Sequence, residues 1–164
     1  MKAIFLDRDG TLIVDKHYVF KIEDLEYFPD TKEALQIMQN KGFELFIVTN
    51  QSGVARGYYQ SRDVETFHQH MQNDMKRWGL KPYVETVFCP DHPDSGSFNR
   101  KPNPGMLLSL IQKWKIDPSK SYMVGDRRLD VECGERAQVK GIMVRNHEEG
   151  LTSFNSLLEF AQKL

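Results

Sequence analysis

The chain has 164 residues, 40% of them apolar, enough for one domain with a real core. Its 22 basic and 23 acidic side chains leave a formal charge of −1, which argues against a polyanion-binding surface and against nucleic acid as main partner. No apolar run reaches membrane-spanning length, the apolar start is too short for a signal peptide, and Cys89 and Cys133 make no disulfide framework, so the expectation is a single cytoplasmic domain over residues 1–164.

In chain order, residues 2–6 form a first apolar run that predicts a buried strand. Asp30, with Glu33 three residues on, carries a capping-box signature and opens a helix that Gly42 ends. A second strand is expected over 43–49. From about Ser61, the apolar residues Val64, Phe67, Met71, Met75 and Trp78 recur at offsets of three and four, marking one buried helical face. His68 and His70 on this helix are expected at solvent or at the margin of the core. A third strand follows over 84–89, then a helix after Pro104 that carries Met106, Leu107, Leu110, Ile111 and Trp114. A strand over 122–125, a helix over 128–138, a strand over 142–145 and a closing helix over 153–164 complete the set. This alternation predicts a doubly wound parallel sheet in a three-layer α/β/α arrangement with five or more strands. Such sheets bind ligands beyond the carboxyl ends of their strands, which directs attention to Asp7, Thr49, Cys89 and Asp126.

Asp7-Arg8-Asp9-Gly10-Thr11 directly follows the first strand. A spacing of two on an extended chain points both carboxylates the same way, where they repel unless a cation neutralises them. One can then serve as nucleophile and the other as acid and base. Taken singly, these residues also suit ordinary roles: Asp and Gly in a turn, Thr49 at a strand end, Lys101 as a solvated charge, Asp126 as a helix cap.

Together the segments resemble the haloacid-dehalogenase superfamily of phosphotransferases. Asp7-Arg8-Asp9-Gly10-Thr11 is similar to its first motif, and Val48-Thr49-Asn50-Gln51-Ser52-Gly53-Val54-Ala55-Arg56-Gly57 resembles the second-motif region of its heptose bisphosphate phosphatase branch. Arg100-Lys101-Pro102 resembles the third motif, and Val124-Gly125-Asp126-Arg127-Arg128-Leu129-Asp130 the fourth. The resemblance implies a Rossmann-like fold with a minimal cap, and Asp7 as a nucleophile that becomes an aspartyl phosphate. It implies Asp9 as acid and then base, with Thr49 and Lys101 on the phosphoryl group. Mg²⁺ is the implied cofactor, held by the Asp7 carboxylate, the Asp9 backbone carbonyl and the Asp126 carboxylate, with Asp130 supporting the site from behind.

For substrate, the resemblance implies sugar contacts from Asp15, Lys16, His17 and Tyr18, contacts from Asn50, Gln51 and Ser52, and phosphate contacts from Arg100 and Arg127. Ser52 stands where histidinol-phosphate phosphatases tend to carry Asp. The implied reaction is removal of the 7-phosphate of D-glycero-D-manno-heptose 1,7-bisphosphate, feeding nucleotide-activated heptose for surface lipopolysaccharide, by a monomer with a small-molecule sugar phosphate as its partner. Histidinol phosphate or another small phosphate ester is the alternative, and a phospho-accepting receiver domain a remote one. Relatives carry a zinc loop before the third motif; aligned on Cys89 and Arg100, the other ligand positions here hold Asp91, Ser97 and Asn99, so no structural zinc is expected.

Overall fold

The computed structural model describes residues 1–164. Six strands form one parallel sheet: β1 (Ala3–Leu6), β2 (Glu44–Asn50), β3 (Glu85–Cys89), β4 (Tyr122–Gly125), β5 (Lys140–Val144) and β6 (Ser153–Phe154), in the order β3-β2-β1-β4-β5-β6. The helices are α1 (Thr31–Asn40), α2 (Ser61–Arg77), α3 (Gly105–Trp114), α4 (Arg128–Arg136) and α5 (Leu157–Lys163). No helix is long and apolar enough to cross a membrane.

Strand alternation divides the core into two. Ile4, Leu6, Leu45 and Ile47 face one way and pack with Leu35 and Met38 of α1, Phe67 and Met71 of α2, and Leu157 and Phe160 of α5. Ala3, Phe5, Phe46 and Val48 face the other way, against Leu107 and Leu110 of α3 and Cys133 of α4. The sheet is therefore sandwiched between two helical layers, as the strand-helix alternation predicts. Met71, Met75 and Cys133 are core residues, as expected.

Two elements depart from the sequence reading. The closing segment is not one helix: Ser153 and Phe154 extend the sheet beside Met143 and Val144, and α5 starts only after Ser156, whose hydroxyl accepts from Glu159 N–H at 3.0 Å. Helical periodicity cannot register two residues drawn into a sheet by pairing with β5. The capping box at Asp30 does not form either. The Asp30 carboxylate instead accepts from Arg145 Nη2 at 2.8 Å and from Leu158 N–H at 3.0 Å, so it caps the first turn of α5.

Strand order reverses between β1 and β4, since β2 and β3 lie to one side of β1 and β4, β5 and β6 to the other. That switch point places the residues following β1, β2 and β4 around one crevice.

Candidate active site

Asp7 is the first residue beyond β1, and its N–H donates to Val124 O at 2.9 Å, fixing it beside the end of β4. Lys101 enters from the segment before α3. Its Nζ donates to Asp7 Oδ1 at 2.9 Å, Asp130 Oδ1 at 2.7 Å and Val48 O at 2.9 Å, so all three ammonium protons have acceptors. Asn50 clips the Lys101 backbone from both sides: its Oδ1 accepts from Lys101 N–H at 3.0 Å and its Nδ2 donates to Lys101 O at 3.1 Å. Asp130 is fully buried, and its Oδ2 accepts from Arg127 N–H at 3.1 Å. Burial acts against the charge on Lys101, but Asp130 and Asp7 outweigh it and hold its pKa above the usual lysine value. Burial raises the pKa of Asp7 well above the ordinary carboxylate range; Lys101 opposes the rise, while Asp130 and Asp126 add repulsion. Asp126 is pushed up as well, by burial first and by Asp130 second.

A cation would relieve this crowding. Carboxylate oxygens of Asp7, Asp126 and Asp130 lie within 4.8 Å of one another, and Asp126 Oδ1 is buried without a hydrogen-bond partner. Gly10 turns the chain past Asp126 with φ +79°, and a Cβ there would sit 2.3 Å from Asp126 Oδ2. An all-oxygen, strongly negative donor set fits a hard cation such as Mg²⁺. The Asp130 oxygens are committed to Lys101 and Arg127, which leaves Asp7 and Asp126 free to hold the ion.

Asp9 opens on the same cavity but is held by a different set of groups. Its Oδ2 accepts from Arg8 Nε and from Gln51 Nε2, each at 3.0 Å, and its Oδ1 accepts from Arg8 Nη2 at 3.2 Å. Arg8 is fully buried, donating also to Val19 O at 2.7 Å and lying 4.6 Å from the centre of the Phe67 ring. Its Nη1 faces His68 Nε2 at 3.5 Å. His68 is accordingly not at solvent: it is 3% exposed, and burial, reinforced by Arg8, lowers its pKa to about 3, leaving a neutral ring. The buried guanidinium imposes this position, which helical periodicity alone does not reveal.

The cavity has a volume of about 290 Å³. Asp7, Asp9, Thr49, Lys101 and Asp130 form its floor, and Asn50, Gln51 and Ser52 one wall, although the Asn50 amide is spent on Lys101. Asp15, His17 and Tyr18 line the mouth. Asp15 accepts from His17 N–H at 2.9 Å and pairs with Arg127 at 3.5 Å, while His17 and Tyr18 both have left-handed backbones. Lys16 is not brought to the cavity; it turns to Glu26 at 3.4 Å. Arg100 and Arg127 reach the rim, and a third arginine, Arg56, joins them. Arg100 Nη1 is buried without a partner, and burial together with Arg56 and Arg127 lowers its pKa. An unpaired guanidinium among like charges is ready to receive an anion.

Sequence reasoning missed Arg8, Arg56 and Tyr59 as site residues. Arg8 carried a readable signal, a charge between two strand-end acids. Arg56 stood within the second-motif segment without being singled out, and Tyr59 gave no signal, because only the fold of residues 51–60 buries its ring against the cavity. Around Cys89 the neighbouring groups are oxygens, Asp91 Oδ2 at 3.5 Å and Ser97 Oγ at 3.7 Å. No set of three metal-ligating groups gathers at Cys89, so the residues present do not fit a structural zinc ion.

Residues 98–158 match a family model described as "HAD-hyrolase-like". The chain is 36% identical over 146 residues to a D-glycero-alpha-D-manno-heptose-1,7-bisphosphate 7-phosphatase from Photorhabdus laumondii, covering 85% of the chain and 79% of that protein. It is 38% identical over 169 residues to a D-glycero-beta-D-manno-heptose-1,7-bisphosphate 7-phosphatase from Pasteurella multocida, covering 96% and 91% respectively. Among solved structures, a D,D-heptose 1,7-bisphosphate phosphatase from B. bronchiseptica, complexed with magnesium and phosphate, superposes with a TM-score of 0.89 at 26% identity, over 99% of this chain and 97% of that one.

Proposed function

From the premise that the chain belongs to the haloacid-dehalogenase superfamily of phosphatases, we propose that it removes the 7-phosphate of D-glycero-D-manno-heptose 1,7-bisphosphate. The observation that carries this reading is the buried Asp7–Lys101–Asp130 cluster at the floor of a cavity whose rim presents Arg56, Arg100 and Arg127, with the half-buried Asp126 beside it. Chemistry at the floor and cationic groups at the rim suit a small molecule with a phosphate at each end.

In this mechanism Asp7 attacks phosphorus and the bond to the sugar oxygen breaks, giving an aspartyl phosphate. Asp9 gives its proton to the departing oxygen, then accepts one from the water that cleaves the aspartyl phosphate. Thr49 offers its hydroxyl to a phosphoryl oxygen, and Lys101 compensates charge on the transferring group while keeping Asp7 oriented. Mg²⁺, held by the Asp7 and Asp126 carboxylates and the Asp9 backbone carbonyl, supplies further charge neutralisation when bound. Arg100 and Arg127 take the second phosphate, and Asp15, His17, Tyr18 and Ser52 meet the sugar; Lys16, facing Glu26, is left out of this set. The enzyme acts as a cytoplasmic monomer of one domain, without zinc, in the supply of nucleotide-activated heptose for lipopolysaccharide.

Phosphate release from both anomers of the heptose bisphosphate, its monophosphate and histidinol phosphate tests this reading, with phosphorus NMR to identify which ester is lost. The bisphosphate should lead by roughly tenfold or more, as expected for a charge-assisted distal contact, with loss at position 7. Activity should vanish with chelator and return on adding Mg²⁺. Histidinol phosphate at the head of the panel, or full turnover in excess chelator, would overturn it.

A further inference from the structure

We infer that Arg8 and Gln51 are positioning residues that aim Asp9 at the leaving-group oxygen and receive the charge it gains on giving up its proton. This inference rests on Asp9 acting as the acid and base of the proposed reaction, and extends that reading to the groups that hold Asp9.

Asp9 is gripped from two directions. The Arg8 fork reaches both carboxylate oxygens, at 3.0 Å and 3.2 Å, and Gln51 Nε2 reaches Oδ2 at 3.0 Å from the cavity wall. Neither grip is loose. Arg8 is fully buried, and it also donates to Val19 O at 2.7 Å and meets the neutral His68 ring at 3.5 Å, with its guanidinium over the Phe67 ring. A surface arginine would rotate away at little cost; this one has nowhere else to put its charge.

Gln51 is fixed equally well. Its amide nitrogen faces Asp9 Oδ2, which accepts from it whether the other Asp9 oxygen is ionised or protonated, and the same nitrogen also donates to Thr49 Oγ1 at 2.9 Å. The amide oxygen then faces the Tyr59 hydroxyl, which donates at 2.6 Å. Tyr59 keeps its proton across the working range, since burial, with Asp9 and Tyr18 adding to it, pushes its pKa up to about 12. Gly53 makes room for that ring, because a Cβ there would lie 2.2 Å from Tyr59 Cε1. Arg8, Asp9, Gln51 and Tyr59 thus form a continuous network behind the reacting face, and Gln51 ties it to Thr49.

The chemical consequence concerns the proton of Asp9. As the phosphorus–oxygen bond to the sugar breaks, that proton passes to the departing alkoxide and negative charge appears on Asp9. Arg8 and Gln51 already point at the oxygens that acquire the charge, so no reorganisation accompanies the step. When water attacks the aspartyl phosphate, Asp9 takes back a proton and the cycle closes. A sugar alkoxide is a poor leaving group and needs that proton; p-nitrophenolate leaves without it.

The test compares Arg8→Met and Gln51→Leu with Asp9→Asn, each assayed on the preferred sugar phosphate and on p-nitrophenyl phosphate. Both positioning variants should lower kcat for the sugar ester about tenfold or more beyond any loss on the aryl ester, with little change in KM. Arg8→Lys, which restores charge but not the fork, should recover part of the difference. If Arg8→Met fails to fold, Gln51→Leu decides, since it replaces the amide by an apolar side chain of similar size. Equal losses on both esters for the positioning variants, with Asp9→Asn selective, would overturn this inference alone. A non-selective Asp9→Asn would overturn the assignment of Asp9 itself, and this inference with it.

Discussion

Asp7 and Asp9 stand two residues apart and open on one cavity, yet their surroundings differ in kind. Asp7 lies in a cluster of charges, where Lys101 bridges it to Asp130 and Asp126 stands close by. Asp9 is paired with a single buried guanidinium through the two-pronged Arg8 fork and is met on its other side by the neutral Gln51 amide. The first arrangement suits a nucleophile that must face a phosphate dianion, because the excess negative charge is offset by a fixed ammonium and a cation-binding site. The second suits a group that gains and loses a proton each cycle, because orientation persists while charge changes. A single short motif therefore suits the two roles proposed for it, through the partners that the fold brings to each carboxylate.

The largest expected effect comes from removing Asp7 from this contrast. Asp7→Asn should keep the fold, seen as an unchanged circular dichroism spectrum, and lose turnover by roughly three orders of magnitude or more. Retention of above about a tenth of activity would break the distinction between the two acids, since Asp7 would not be the attacking group.

Lys101→Met strikes the charge cluster alone. It leaves Asp130 buried at 2.7 Å from a vanished ammonium and Val48 O without its donor. Breaking such a pair costs about 3–5 kcal/mol, so urea unfolding should show a large loss of stability alongside a fall in kcat. A variant as stable as the parent would mean that the cluster is less tightly coupled than its distances imply.

Arg100→Ala probes the cavity rim, away from both acids. It should reduce preference for the bisphosphate over the monophosphate by about tenfold and leave turnover of the monophosphate nearly as it was. An equal loss on both substrates would move Arg100 from recognition into the chemistry.

The smallest effect belongs to His68, behind the network that grips Asp9. With its pKa lowered to about 3 in the folded chain and near its ordinary value when unfolded, His68 binds a proton only on unfolding as the pH falls below about 6.5. Its stabilising contribution is complete above that pH and is lost progressively toward pH 3. Between about pH 7 and pH 5 the loss should be roughly 2 kcal/mol, and His68→Leu should flatten that part of the stability profile. An unchanged slope in the variant would place the ring in contact with water.

Much of this molecule is written in local pattern. Apolar runs of strand length, alternating with helical periods, specify a parallel sheet between helices because each element must bury its apolar side chains. The motif residues at the ends of β1, β2 and β4 follow, since parallel strands in one sheet deliver their carboxyl ends to one edge. Asp7, Asp9, Thr49 and Asp126 were expected along one edge for that reason, whereas Lys101, from the segment before α3, and Asp130, within α4, were picked out only by the resemblance of the segments that carry them. Tertiary structure alone decided who pairs with whom. Asp30 caps α5 instead of its own helix, Ser153 and Phe154 join the sheet, Lys16 turns to Glu26, and Asn50 spends its amide on the Lys101 backbone. Arg8 and His68 are buried together because the guanidinium next to Asp9 has acceptors only in the interior. A hydrogen-bonding side chain takes the partner that folding places within about 3 Å, and sequence neighbours do not encode that distance.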